Sequence, residues 1–312
     1  MKRLAIFKSI VFSTISVAMR RLQTFFLAQQ IFLRMQQYEN SILDTKIKQY
    51  LEDLAQETNS VRQSEKFKNY LDLLTRFWNY SYRNQLLILA QKETATRVAG
   101  YRAWCALGRQ VNAGEKAIKI LAPFKKKLTS SETTGNEEEE TRVYFHSVSV
   151  FDISQTSGAP LLDASPVINS SFHESTFLRL IEFCELQKIK VSFEKLGLHN
   201  AYGYSAGGKI IIGEDQSIDM KTCTLIHEIA HELLHYSLPY SSLPTRAKEI
   251  QAESVCYVVT RAIGLNSKSS VYLAPLGFPS KDLTYFFEAI SKTAKIILNF
   301  LYPQQYEKSI CF

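Results

Sequence analysis

The chain has 312 residues, enough for one large domain or two ordinary ones, and its 46% hydrophobic and 12% aromatic content excludes a mainly disordered protein. The net charge of +7 is unevenly spread: residues 1–127 hold 22 Lys+Arg against 9 Asp+Glu, or +13, and residues 128–312 hold 15 against 21, or −6. A basic half joined to a mildly acidic half predicts two domains with different partners, the basic one facing a polyanion such as nucleic acid or an anionic membrane surface.

Residues 1–37 contain no acid, the first being Glu39. Met1-Lys2-Arg3 precedes an apolar stretch from Leu4 to Ala18, and Ser16-Val17-Ala18 has the shape of a secretory cleavage site. Lys8 splits that stretch, Arg20 and Arg21 follow it, and a second apolar run spans Leu22 to Leu33. A basic amphipathic helix on a surface, a translation start at Met19 or Met35, and a poorly ordered extension are the other readings. The extension is taken as residues 1–38. No uncharged apolar run reaches 18 residues, so no membrane-spanning helix and no stable membrane insertion are expected.

Residues 40–58 and 64–91 read as helices, the second from Phe67, Tyr70, Leu71, Leu74, Phe77 and Trp78 at helical spacing. Asn112-Ala113-Gly114-Glu115 reads as a turn, followed by an alternating strand over 117–122. Residues 125–141, with three Lys, a Ser/Thr patch and Glu137 to Glu140, read as a solvated loop. Val143 to Ile153 then returns as a strand to the same sheet. A Ser/Pro/Gly-rich linker occupies 158–171. Beyond it come a helix (172–188), a strand (189–195), and a hairpin with Ala206-Gly207-Gly208 as its turn between 202–205 and 209–213. Helices follow at about 219–237, 245–263 and 280–302. The five cysteines are scattered and form no CxxC, which excludes a disulfide framework or thiolate zinc knuckle and points to a reducing, cytoplasmic compartment.

The strongest chemical signal is His227-Glu228-Ile229-Ala230-His231. On a helix, positions i and i+4 lie about 40° apart around the axis, so both imidazoles point the same way and can hold one Zn²⁺. The metal lowers the pKa of a bound water, and the adjacent Glu228 is placed to take its proton. A catalytic site needs a third protein ligand and an open fourth position. No third His stands at metzincin spacing. Glu249 and Glu253, i and i+4 on the next helix, are the candidates. Glu249 is favoured as ligand, with Glu253 hydrogen-bonding a ligand His and fixing its tautomer. His235 is expected beside the metal or against the hairpin rather than on the ion, and Glu232 is expected to be solvated. The 202–213 hairpin precedes the helix and offers an edge strand for a peptide substrate.

Two stretches resemble known families. HEIAHELLH with KEIQAESVCYVV resembles the ImmA/IrrE-like zinc metallopeptidases. The resemblance implies that His227, His231 and Glu249 hold one Zn²⁺ per chain in a gluzincin-like site, that Glu228 is the catalytic base, and that Glu253 takes the position of the family's Asn or Asp. The stretch FWNYSYRNQLLI (77–88), with Gly100-Tyr101, Trp104, Gly108-Arg109, Gly114-Glu115-Lys116-Ala117-Ile118, and Val150 to Thr156, resembles the N-terminal single-stranded-DNA-binding domain of ArdC-type antirestriction proteins. The order of the two parts also agrees with that family.

Together these imply an α+β chain of two domains, an ArdC-like single-stranded-DNA-binding domain at 39–157 and a zincin-like metallopeptidase domain at 172–312. Single-strand binders combine a basic groove with aromatic faces. Tyr80, Tyr82, Arg83, Asn84, Gln85, Arg97, Tyr101, Arg102, Trp104, Arg109, Lys116 and Lys119 supply such a set, and Phe77 and Trp78 belong to the core. The expected function is a zinc peptidase with single-stranded DNA as one partner and an unknown protein substrate as the other, acting in antirestriction or mobile-element establishment. Two alternatives stand beside it: a protein that shields DNA by occupancy, its zinc domain being structural or for docking, and a protease that cuts a repressor. His₂Glu sites accept several divalent ions, so spacing does not single out zinc.

Overall fold

The structure, a computed structural model, describes residues 34–35, 37–57, 60–128, 140–161, 170–196, 202–236, 243–265 and 280–303. The readings of residues 1–33, and the middle parts of the expected 125–141 loop and 158–171 linker, lie outside these residues.

The first helix, α1, covers 37–56. The single helix expected over 64–91 is two, α2 (Ser60–Phe77) and α3 (Tyr82–Gln91). The break has a local cause. Tyr80 N–H turns back to Phe77 O at 2.9 Å. Ser81 is extended (ψ 150), and its hydroxyl accepts from Asn84 N–H at 3.3 Å, which makes it an N-cap. The apolar period hides this break because buried Phe77 and Trp78 carry it up to the break and buried Leu86 resumes it beyond.

The chain continues through β1 (Val98–Gly100), α4 (Tyr101–Ala106), β2 (Arg109–Val111), β3 (Ile118–Leu128), β4 (Glu140–Asp152), a 3₁₀ turn (Ile153–Gln155) and β5 (Thr156–Gly158). One sheet has the order β1-β4-β3, confirming that 143–153 joins the strand at 117–122, and β2 pairs with β5. Both long strands run further into the charged stretch than its composition predicts, to Leu128 and from Glu140.

The turn after β4 is built on one carboxylate. Asp152 is buried and accepts from the backbone N–H of Thr96 (2.7 Å), Arg97 (3.0 Å) and Ser154 (3.0 Å), while its own N–H donates to Gln155 Oε1 at 2.9 Å. Burial opposes its charge, but the amides of Ser154, Arg97 and Thr96 outweigh burial and hold the carboxyl below the usual range. A depressed folded-state pKa stabilises the fold above the unfolded-state value, about 3.9, and the stabilisation fades as pH falls through the folded value. Acid unfolding followed by circular dichroism is therefore expected to be shallower below about pH 4 for Asp152→Asn, which is also less stable at neutral pH. Identical slopes for parent and variant would remove Asp152 from the balance.

The C-terminal part comprises α5 (Ser170–Leu186), β6 (Lys190–Glu194), β7 (Gly203–Ser205), β8 (Lys209–Gly213), α6 (Ile218–His231), a π-helical segment (Glu232–Tyr236), α7 (Thr245–Ala262) and α8 (Ser280–Leu301). The hairpin and its turn fall where the sequence predicts. The sheet order is β6-β8-β7, with β6 parallel and β7 antiparallel to β8. Ile210, Ile211 and Ile212 of central β8 are buried, and β7 is an edge.

The described residues of 46–120 and 149–312 form one compact unit, and those up to Thr45 with those of 121–148 form another. In the larger unit, α2 and α3 share a core with α7 and α8. Phe67, Tyr70 and Phe287 stack at 4.4–6.4 Å, each ring burying enough surface to contribute about 1.5–3 kcal/mol. Polar bonds pin the same faces: Tyr70 OH to Phe287 O (3.0 Å), Ser291 OH to Gln85 Oε1 (2.6 Å), Tyr257 OH to Asp72 (2.6 Å), and Lys295 Nζ to Asn79 O (2.7 Å). In the smaller unit, Phe124 and Tyr144 stack at 5.5 Å with His146 edge-on to Phe124. Cys105, Cys184, Cys223 and Cys256 are free thiols. Among the described residues, no helix is long and apolar enough to cross a membrane.

Candidate metal centre

Ser217 starts α6 as its N-cap, its hydroxyl accepting from Met220 N–H. Leu225, Ile226, Ile229 and Ala230 are buried and fix the rotation of the helix. Two polar stripes result, each at i, i+4, i+8. His227, His231 and His235 face α7. Glu228, Glu232 and Tyr236 face the β7–β8 hairpin.

On the first stripe, His227 Nε2 and His231 Nε2 lie 3.0 Å apart. Glu249 on α7 brings Oε2 to 3.6 Å from His227 Nε2 and Oε1 to 3.5 Å from His231 Nε2. Donor atoms of the three residues all lie within 4.8 Å of one another. Two ligands of a tetrahedral ion at its usual bond lengths stand about 3.3 Å apart, so this donor set fits a divalent cation. Glu249 is the exposed member, 51% against 22% and 13% for the histidine side chains, which leaves the centre open on its side. Glu253 takes the other expected place, with Oε2 3.3 Å from His227 Nδ1.

The charges follow from this packing. Burial disfavours a charged His227, but Glu249 and Glu253 outweigh it and raise its pKa to about 9. The two imidazoles hold the Glu249 carboxyl far below the usual range. His235 is pushed down to about 4 by burial, with only Gln251 to counter it among hydrogen-bonding groups. It lies 3.0 Å from His231 Nδ1, off the donor cluster, as the sequence predicts.

On the second stripe, the Glu228 carboxyl is buried and thereby raised in pKa, with the Ser205 hydroxyl hydrogen-bonded to it. Glu232, expected to be solvated, is instead buried. It accepts from Gly207 N–H at 3.0 Å and Gly208 N–H at 2.8 Å. Both glycines have positive φ, +68° and +81°, which turns their amides toward this carboxylate. Tyr236 donates to Ser205 O at 3.0 Å. Gly203 lets β7 approach α6, since a Cβ there would lie 2.6 Å from Thr224 Cγ2. Helix and edge strand are thus joined at Ser205 twice and at the turn twice. Neither Glu232 nor Ser205 was identifiable beforehand.

The candidate nucleic-acid residues divide. Arg97, Tyr101, Arg102, Lys116 and Lys119 are exposed, Lys119 bonding Ser149 Oγ at 2.9 Å. Tyr80, Tyr82, Arg83 and Arg109 are half-buried. The Arg109 guanidinium already donates to Thr156 Oγ1, Thr156 O and Ala159 O. Asn84, Gln85 and Trp104 face inward. Gln85 donates to Phe77 O at 2.9 Å, and fully buried Trp104 donates to Phe151 O at 2.9 Å.

Residues 36–151 match the family described as the N-terminal domain of anti-restriction factor ArdC, and residues 184–263 match the IrrE N-terminal-like domain of the M78 peptidases. The chain is 26% identical to an uncharacterized protein of Bacillus anthracis over 80% of its own length and 49% of that protein, so it spans about half the length of the curated relative it matches. It is also similar, at 19% identity, to two crystal structures of the antirestriction ArdC protein from the R388 plasmid. The metal-free one covers 71% of this chain and 85% of its own, with a TM-score of 0.44. The Mn(II)-bound one covers 72% and 84%, with a TM-score of 0.43.

Proposed function

We propose that this chain, which carries an ArdC N-terminal domain followed by an IrrE N-terminal-like domain, is a divalent-metal-dependent peptidase that binds single-stranded DNA and acts in antirestriction. The observation that carries the reading is the convergence of His227, His231 and Glu249 donor atoms within 4.8 Å, next to the buried carboxyl of Glu228. His227, His231 and Glu249 would hold the ion, for which we propose zinc, with Glu253 orienting His227 through Nδ1. A bound divalent ion supplies Lewis-acid polarisation of the scissile carbonyl and acidifies a water. Glu228 takes a proton from the attacking water and delivers it to the departing amine, its raised pKa suiting both transfers. The Ser205 hydroxyl holds that carboxyl in place.

The edge strand β7 orients the substrate. Tyr202 and Ala206 bond to Gly213 and Lys209, so both backbone groups of Gly203 and the N–H of Ser205 point away from β8 and offer an edge to an extended peptide, while Ser205 O already accepts from Tyr236. In the N-terminal part, exposed Arg97, Arg102, Lys116 and Lys119 would meet phosphates, and exposed Tyr101 would stack on a base. That exposed set also supports a second reading, protection of DNA by occupancy alone.

Elemental analysis of the purified protein, with oligonucleotide affinity measured on the same samples, tests both parts. About one divalent ion per chain is expected in the parent and a loss of it in His231→Ala, with DNA affinity unchanged and falling steeply with salt. A parent devoid of metal after growth in zinc sinks the peptidase. An affinity flat in salt sinks the phosphate contacts.

A further inference from the structure

We propose that His235 is a positioning residue that fixes the tautomer of His231, through a one-way chain of hydrogen bonds anchored on the carbonyl of Phe286. The inference rests on the metal-centre reading for its purpose, and on hydrogen-bond polarity for its substance.

The polarity is read from the far end. Phe286 O, on α8, only accepts. Gln251 Nε2 reaches it at 3.5 Å, which sets the amide with its nitrogen toward Phe286 and its Oε1 toward His235. Oε1 also only accepts, so His235 Nε2, 3.1 Å away, carries a proton and donates. His235 is buried between an amide and an imidazole, with no carboxylate hydrogen-bonded to it, and is held neutral. A neutral imidazole has one N–H, so His235 Nδ1 is an acceptor. It lies 3.0 Å from His231 Nδ1, which must therefore be the donor. With Nδ1 committed as donor, a divalent ion would take His231 through Nε2, the atom facing His227 and Glu249.

Each ligand imidazole thus has a partner on its second nitrogen, but of different kinds: Glu253 for His227, and a neutral histidine for His231. A carboxylate there makes a ligand more basic, whereas a neutral acceptor fixes the tautomer without adding charge beside the ion. Gln251, 1% exposed, stands between Glu249 and Glu253 in sequence, so α7 supplies support to both histidines from one short stretch.

The test uses the full chain with ¹⁵N-labelled histidine. Long-range proton–nitrogen correlation spectra read the His231 tautomer, metal-free and with one equivalent of Zn²⁺, and competition with a chromophoric chelator reads Zn²⁺ affinity. In the parent, His231 is expected to be protonated at Nδ1 in both states. His235→Leu is expected to mix the tautomers and weaken Zn²⁺ binding about 10–100-fold. His235→Asn, whose side-chain oxygen replaces the Nδ1 acceptor, is expected to keep the Nδ1–H tautomer and bind within a few-fold of the parent. Gln251→Met, at the other end of the chain, shifts both readouts the same way as His235→Leu and replaces it should that variant not fold. An unchanged tautomer and affinity in the Leu or Met variants, or a parent His231 protonated at Nε2, overturns the proposal. A parent that binds no Zn²⁺ defeats the peptidase reading instead, and the metal-free spectra still decide the tautomer.

Discussion

Replacing Glu228 with Gln is expected to lower peptide hydrolysis about 10²–10⁴-fold while metal content stays at the parental level. The carboxyl lies outside the donor cluster, so metal retention is not expected to depend on it. The amide keeps the volume of the side chain and an oxygen for the Ser205 hydroxyl, so β7 keeps its place. What it loses is the capacity to take a proton from water and return it to a leaving nitrogen. A quenched-fluorescence peptide library, screened with parent and variant at matched metal occupancy, measures the difference. A variant as active as its parent would mean that the base lies elsewhere.

Trp104→Ala is expected to cost about 3–5 kcal/mol of stability, far more than any effect it has on DNA affinity. Its ring is fully buried, and its indole N–H is the donor for Phe151 O at 2.9 Å. Truncation opens a large cavity and strips a β4 carbonyl of its partner, next to the Asp152 turn. Chemical denaturation followed by fluorescence reads the loss. By contrast, Tyr101→Ala, on the exposed face of the same short helix, is expected to leave stability within about 0.5 kcal/mol. A Trp104→Ala protein as stable as the parent but blind to oligonucleotide would return this side chain to the nucleic-acid face.

Legibility from sequence tracked how local the cause was. The hairpin is readable because Gly207-Gly208 sits between two alternating runs, and the His227–His231 pair because a helix of 3.6 residues per turn puts i and i+4 together whatever surrounds it. Glu249 and Glu253 were readable as a pair, but their division of labour depends on how α7 lies on α6. The break at Trp78–Ser81 is masked in the sequence because Phe77 and Trp78 before it and Leu86 after it keep the apolar period, leaving the Ser81 cap as the cue. Trp104 and Gln85 entered the DNA set by residue type, and their inward orientation is a tertiary outcome. Glu232 looked solvated because nothing local foretells that two glycine amides from 24 and 25 residues upstream will converge on it. His235 and Gln251 likewise meet only after two helices have docked.

The switch from α to π geometry after His231 has a bearing on how this protein can change. An uninterrupted α-helix slips by about 40° for each four-residue step, so a residue eight positions on would have rotated out of line with the first. The wider i→i+5 winding over Glu232–Tyr236 turns less per residue and takes up that slip. His235 and Tyr236 are both kept in phase by it, one toward Gln251 and the other toward Ser205. The segment behaves as a key cut for two locks at once. Gaining or losing one residue here would throw both out of register together.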